Sequence, residues 1–180
     1  MASKIKVDTL ETANGSGTIA LSNQLSGMTT ASLPALTGAQ MPAGSVLQVI
    51  NAITTTEVSS TSSTYADTGL TAAITPSSTS SKILVVVHQN GFRKYSGDGY
   101  ANIKLLRATT LIAQLGVSTG YTASTGTVEL GTIGTSYLDS PNTTSATTYK
   151  TQFANNPATG TITIQVNSVV STITLIEIKG

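Results

Sequence analysis

Short stretches in which apolar and polar residues alternate recur from residue 45 to residue 180, and turn-forming residues separate them. A period of two residues is typical of β-strands with one buried face. No window shows the 3.6-residue period of an amphipathic helix with capping residues. This spacing predicts an all-β sandwich or barrel. The predicted strands are 45–53, 65–74, 82–90, 100–107, 110–115, 127–133, 146–153, 160–166 and 172–178.

The stretch 82–90, KILVVVHQN, is the most hydrophobic of these and predicts a central strand of a sheet. In the stretch 100–107, the alternation places Ala101, Ile103 and Leu105 on one face. We therefore expect these three side chains to contribute to the core.

The chain divides into three predicted parts. Residues 1–27 contain two alternating stretches around Gly15 and Gly17, which predict an attachment hairpin. Residues 28–44 contain two prolines and two glycines and predict an extended linker. Residues 45–180 form the predicted β-sandwich domain. An isolated two-stranded hairpin is marginal in water, so we expect residues 1–27 to pair or pack with other chains.

Only 9% of the residues are charged, against about 25% in ordinary soluble domains. Serine and threonine replace the missing charges, at roughly 30% of the chain. The formal net charge of +1 gives no electrostatic reason to expect binding to nucleic acid. Because the chain has no cysteine, its stability must come from packing or assembly rather than from disulfides. A surface of hydroxyls and amides suits an exposed extracellular surface or a contact between subunits.

The longest aliphatic run, residues 83–87, is too short to cross a bilayer. No signal peptide is readable after Met1. We therefore expect a soluble protein that is made in a cytoplasm and does not insert into a membrane.

The chain offers little that predicts catalysis. His88 is the only histidine, and the eight carboxylates are scattered singly along the sequence. No metal-ligand spacing, phosphate-binding loop or dinucleotide fingerprint is present. We predict no enzyme activity, no catalytic or metal-binding residue and no cofactor, and we expect His88 to be a structural strand residue. The alternative, that folding brings two carboxylates together as an acid and a base, stays open at this point.

Residues 92–100 form the densest cluster of charge and aromatic rings, and the Asp98-Gly99 pair is a hairpin turn signal. The sequence predicts a rigid hairpin between 82–90 and 100–107 that presents side chains to a glycan or protein partner. The alternative is an ordinary solvated turn. The candidate partner-binding residues are Arg93, Lys94, Tyr95, Asp98 and Tyr100; Tyr121 and the stretch 137–141 are weaker loop candidates of the same kind.

The opening stretch KIKVDTLET at 4–12, followed by GSGTI at 15–19, resembles the amino-terminal segment of tail-fibre and other appendage proteins of tailed bacteriophages, many from aquatic hosts. The stretch 36–49 is similar to the join in those proteins. Their carboxy-terminal domain is similar to this chain in DTGL at 67–70, SSKILV at 80–85, YLDSP at 137–141, YKTQF at 149–153 and STITLIEI at 171–178.

This resemblance implies a homotrimeric virion protein, made in the host cytoplasm and displayed on the virion surface. It implies a tail fibre or fibre tip that acts in host adsorption. Residues 1–44 are then expected to bind other virion proteins, and residues 45–180 to form an outward-facing antiparallel β-sandwich of jelly-roll type. The partners expected are further copies of the chain, other virion proteins, and a host surface glycan or protein. The alternative is a capsid head decoration or cement protein that stabilises capsomers at threefold positions.

Overall fold

Ten antiparallel strands make up most of the computed structural model, which describes residues 37–180. Two single 3-10 turns, Gly38–Gln40 and Val166–Ser168, are the remaining regular elements of this part. The strands are β1 (Val46–Thr54), β2 (Val58–Ser60), β3 (Ala66–Ile74), β4 (Lys82–Lys94), β5 (Gly99–Arg107), β6 (Thr110–Thr122), β7 (Val128–Asp139), β8 (Thr147–Asn156), β9 (Ile162–Ile164) and β10 (Ser171–Ile178).

The strands form two sheets. In the first sheet, β10 lies between β1 and β4, and β4 also pairs with β7. The short strands β9 and β2 continue this sheet beside the end of β4. The second sheet has the order β3-β8-β5-β6. Because most connections pass from one sheet to the other, this order is that of a jelly roll, and the predicted antiparallel β-sandwich is confirmed.

The predicted strand 82–90 is central, since β4 pairs with β10 on one side and with β7 on the other. Ala101, Ile103 and Leu105 are fully buried, as the alternation predicted. The short strand β2 was not predicted; its three residues pair with β9.

Several strands are longer than predicted; β4 extends to Lys94 and β8 to Asn156. β6 extends to Thr122 and β7 to Asp139, so Tyr121 and Tyr137 lie on strands and not in loops. Glycine normally indicates a turn, but Gly131, with a φ of 92°, occupies a break in the register between β7 and β4. The predicted strands 110–115 and 127–133 end just before Gly116 and Gly134, but in the structure both glycines lie inside their strands, so the pattern ended these strands too early.

The core contains two apolar clusters with a polar layer between them. The larger cluster includes Leu70, Val85, Leu105, Tyr149 and Leu175. The smaller one is formed by Phe92, Ala101, Ile103, Ile133, Phe153, Ile162 and Ile164.

The polar layer joins the two sheets through buried hydrogen bonds. The hydroxyls of Thr68 and Thr151 lie 2.5 Å apart, and Thr151 donates to Gln89 Oε1 at 2.9 Å. Gln89 Nε2 in turn donates to the Ser171 hydroxyl at 3.1 Å. Buried polar groups without partners are costly, so this chain of partners favours one register between the sheets.

The two ends of the sandwich differ in what they hold. At the end called here the entry end, β1, β10, β4 and β7 meet through the pairs Val46–Ile178, Ile178–Lys82 and Ile83–Asp139. At the opposite end, called here the loop end, the connections 95–98, 123–127 and 157–161 come together. The described chain therefore enters the sandwich at one end and presents three connections at the other.

Residues 37–44, which were predicted to belong to an extended linker, are bound to the sandwich at the entry end. The Gly44 amide donates to the Lys179 carbonyl at 2.8 Å, and the Lys179 amide donates to the Ser45 carbonyl at 2.9 Å. Lys179 Nζ donates to the carbonyl oxygens of Ala39 and Met41. The predicted hairpin of residues 1–27, and the linker up to residue 36, lie outside the described residues.

Candidate functional site

The five residues selected from the sequence all lie at the loop end, but they are not on a hairpin. β4 belongs to the first sheet and β5 to the second, so the connection 95–98 crosses from one sheet to the other. The predicted rigid hairpin is therefore wrong. The Asp98-Gly99 pair indicates a local turn, but β5 pairs with the following strand β6 and with the distant strand β8, and not with β4. The turn itself uses Gly97, whose φ is 74°.

Lys94 is fully buried and does not reach the surface. Its Nζ donates to the carbonyl oxygens of Gly97 at 2.5 Å and Thr122 at 3.2 Å, and also to that of Ser124. Burying an ammonium group is costly unless its donors are satisfied, and here all three are directed at carbonyl groups. Lys94 therefore holds two of the connections together and offers no contact to a partner.

Arg93 forms a charged group with Tyr95 and Glu129 on the outer side of the first sheet. Its Nε donates to Glu129 at 2.5 Å, its Nη1 donates to the Tyr95 hydroxyl at 3.3 Å, and its Cζ lies 5.6 Å from the centre of the Tyr95 ring. The hydrogen bonds to Tyr95 and Glu129 raise the pKa of Arg93 above its ordinary value. Tyr95 keeps one side exposed, so this group presents an aromatic face next to a guanidinium.

Tyr100 and Tyr121 form a second group on the outer side of the other sheet. Their ring centres lie 6.0 Å apart with planes inclined at 62°, which is an edge-to-face arrangement. Tyr121 is largely exposed. Asp98 is exposed in the turn before β5, and its carbonyl accepts a hydrogen bond from the Thr159 hydroxyl.

The structure thus divides the candidate residues into three environments. Arg93 and Tyr95 form one exposed group, Tyr100 forms another with Tyr121, and Lys94 is internal. Sequence reasoning missed Glu129, which lies directly opposite Arg93 because β4 and β7 pair in that register. A salt bridge between residues 36 positions apart has no local sequence signal.

Two other carboxylates, Asp139 and Glu177, are buried at the entry end. Asp139 accepts two hydrogen bonds from Arg107 Nη1, at 2.9 and 2.8 Å, and one from the Tyr149 hydroxyl at 2.7 Å. Burial raises the pKa of Tyr149 far above its usual range, and the Asp139 carboxylate adds to this effect. The phenol is therefore a fixed donor, and the arrangement ties β7 to β5 and β8.

Glu177 accepts hydrogen bonds from the Ser77 amide and hydroxyl, both at 2.7 Å, and from Gln48 Nε2 at 2.6 Å. Burial by itself would raise its pKa, but the hydroxyl, amide and backbone donors outweigh burial and hold the pKa below its ordinary value. The carboxylate is ionised and its acceptor positions are occupied, which is the chemistry of a structural group.

Between residues 37 and 180, no set of three or more His, Cys, Asp and Glu side chains is placed to hold a metal ion. His88 lies on β4 with its side chain exposed on the outer side of the first sheet, above Gly134 of β7. In the same part of the chain, no helix is long and apolar enough to span a membrane.

The fold defines the class: a jelly-roll domain with an aromatic group on the outer side of each sheet near its loop end. No protein-family model matches the chain, and no curated protein matches it.

Proposed function

We propose that this chain is a structural protein of a bacteriophage virion, a homotrimeric tail fibre or fibre tip that acts in host adsorption. The observation that carries the proposal is the separation of the two ends of the sandwich. Residues 37–45 join it at the entry end, whereas the exposed Tyr95 and Tyr121 and the partly exposed Arg93 lie at the loop end. A fibre needs this division, because one end attaches to the particle and the other end meets the cell.

The composition supports the same proposal. The sandwich has a low charge content and a surface rich in hydroxyl and amide groups. The two buried carboxylates, Asp139 and Glu177, accept hydrogen bonds from neighbouring side chains. The activity that we propose is binding without cleavage of the ligand, and residues 1–44 would bind other virion proteins.

The loop end offers the chemistry that a surface glycan requires. Exposed aromatic rings, Tyr95 and Tyr121, can stack on the apolar faces of sugar rings. The guanidinium of Arg93 and the carboxylate of Asp98 can bond to sugar hydroxyls. Strand-connecting loops on a rigid scaffold are also where binding residues concentrate.

Binding is tested with the triple variant Arg93→Ala/Tyr95→Ala/Tyr121→Ala of the full chain, labelled with a fluorophore and mixed with host cells. We expect it to lose cell binding while its melting temperature changes little, because exposed positions usually contribute less than about 0.5 kcal/mol each. Gln114→Ala, an exposed change on β6 away from the loop end, is the matched control. Equal binding by the triple variant and the control would show that the loop end does not contact the host.

The location on the particle is tested separately. Antibodies against the chain, carrying gold, should label the tails of intact particles in electron micrographs. Labelling of the head alone would instead support a decoration protein at threefold positions and would overturn the fibre proposal.

A further inference from the structure

The outer side of β1, β10, β4 and β7, called here the first-sheet face, carries a row of aliphatic side chains. In the observed registers, Val49 lies opposite Ile176, Ile176 opposite Leu84, and Leu84 opposite Leu138. Four aliphatic side chains therefore form one row across all four strands. Val49 and Leu138, at the two ends of the row, are 56% and 54% exposed, and Ile53 on the same face is 62% exposed.

The first-sheet face also lacks charge. Between Lys82 at the entry end and Arg93 at the loop end, the outward positions of these four described strands are aliphatic, hydroxyl, amide or glycine, apart from His88. Burial of aliphatic side chains is worth about 25 cal/mol per Å², so leaving this row in water has a cost. Contiguous apolar patches of this kind mark surfaces that another molecule covers.

The edge of the sheet gives a second, independent reason. Within the described residues β1 pairs only with β10, so its other edge is open. Proteins usually protect such an edge with a lysine, a proline or a bulge that turns it away. β1, with the sequence VLQVINAIT, has no charge and no proline in its nine residues, and its register shift lies at its first residues.

The size of the face suits a subunit contact. Four strands at about 4.8 Å spacing and seven residues at about 3.4 Å give roughly 19 by 24 Å, or on the order of 450 Å² before side-chain relief is counted. A standard interface buries about 800 Å² per partner. The four strands therefore supply roughly half of that area, and the open edge of β1 adjoins them.

We infer that the first-sheet face is the surface through which copies of this chain associate. The inference rests on the homotrimer of the proposed function and adds where its subunits meet. Absence of charge favours an identical copy as the occupant, because charges near a symmetry axis would face their own images and repel. A hydroxyl and amide periphery around the aliphatic row supplies hydrogen bonds to such a copy.

The test compares two double variants of the full chain. Val49→Lys/Leu138→Lys places two ammonium groups at the ends of the aliphatic row, and Gln114→Lys/Thr148→Lys places two on exposed positions of the second sheet. Light scattering during gel filtration gives the mass, and circular dichroism reports folding. We expect a trimer for the wild type and the control, and a folded monomer for the first-sheet variant.

A second measurement covers the case in which the first-sheet variant does not fold. Because the chain has no cysteine, Ser136→Cys on this face and Gln114→Cys on β6 each create a unique thiol. In the assembled protein, we expect a bulky maleimide to modify the thiol at position 136 at least tenfold more slowly than the thiol at position 114. Equal rates would overturn the inference.

The outcomes separate this inference from the function on which it rests. If the wild type and the first-sheet variant are both trimeric, the inference about the first-sheet face is overturned, but the proposed homotrimer is not. A monomeric wild type overturns both the homotrimer and the inference. A first-sheet variant that stays trimeric but no longer joins the particle would assign the face to another virion protein, which also overturns it.

Discussion

The two outer faces of the sandwich have the same strand architecture and opposite chemistry. The first-sheet face carries an aliphatic row, whereas the outer side of the second sheet carries charges. There Lys150 Nζ lies 2.9 Å from the Asp67 carboxylate, Gln152 donates to the same group at 2.7 Å, and Lys104 Nζ lies 3.9 Å from the centre of the Tyr65 ring. Charged groups are well hydrated in water, whereas exposed aliphatic side chains are not.

The difference shows which positions the fold itself requires. Inward side chains of both sheets are apolar or hydrogen-bonded, because packing in the core demands it. Outward positions are free of that demand, so their chemistry reflects what covers them. Among residues 37–180, the charges lie on the second sheet, at the ends of the sandwich or in its interior, and the middle of the first-sheet face carries none.

The largest effect is expected from a lysine placed at one of two neighbouring positions of β4, one inward and one on the first-sheet face. Val85 is fully buried between the sheets, while its neighbour Val86 lies on the first-sheet face. We expect Val85→Lys to abolish folding, at a cost above about 4 kcal/mol, because it buries an unpaired ammonium group.

Val86→Lys is the matched variant, and its ammonium group can reach water from the outer side. We expect it to keep the β-sheet spectrum and to lose association. Urea unfolding measures the stability of each variant, and sedimentation measures its oligomeric state. Similar unfolding curves for the two variants would contradict the register on which the distinction between inner and outer positions depends.

A smaller loss is expected when the link between the two sheets at the entry end is cut. Asp139→Ala removes three accepted hydrogen bonds and leaves the Tyr149 hydroxyl buried without its acceptor. We expect a loss of about 2–3 kcal/mol, which a fall in melting temperature of several degrees would report. Tyr149→Phe removes only the phenol donor and should cost less. If Asp139→Ala had no effect, the two faces would not be held in place by this group.

Most of the fold follows from local pattern, whereas the binding surface does not. The hydrophobic run in 82–90 predicted a central strand, and the alternation in 100–107 predicted three core residues because burial follows a period of two. The two-sheet arrangement decides which loops meet, and it depends on pairing between distant strands. For that reason Lys94, an ordinary surface lysine by sequence, is a buried donor, and Glu129 is the partner of Arg93.

The aliphatic row of the first-sheet face also had no sequence signal. Val49, Leu84, Leu138 and Ile176 are isolated residues on four separate strands. In the sequence each is an apolar residue in a strand that also holds inward ones, and only the registers bring them into line. A sequence pattern predicts which side chains lie on one side of a strand, but it does not predict which strands pair beside it.

The contribution of Glu177, at the entry end, to folding stability depends on pH, and we expect this effect to be moderate. Its pKa is lowered in the folded state, so its contribution to stability is complete above its unfolded pKa, about 4.3, and is lost as the pH falls through its folded value. We expect Glu177→Gln to cost about 1–2 kcal/mol at pH 7, since an amide cannot accept all the bonds that the carboxylate accepts. Denaturation across pH 2–7 should show the two proteins converging at the acid end. A constant difference at every pH would show that Glu177 contributes through shape and not through charge.

The smallest effect should come from the charged face itself. In Asp67→Asn, the pair with Lys150 is removed, and the side chains of these residues are 56% and 28% exposed. Burial alone would raise the pKa of Asp67, but hydrogen bonds from Lys150 and Gln152 lower it, so the Asp67 carboxylate is ionised in neutral solution. Because water and salt screen an exposed pair, we expect a loss below about 0.5 kcal/mol that shrinks further in high salt. Association should not change, since this face is expected to stay in water. Loss of the oligomer in Asp67→Asn, with folding retained, would mean that copies meet through the second sheet, and the contrast between the two faces would then have to be explained by something other than assembly.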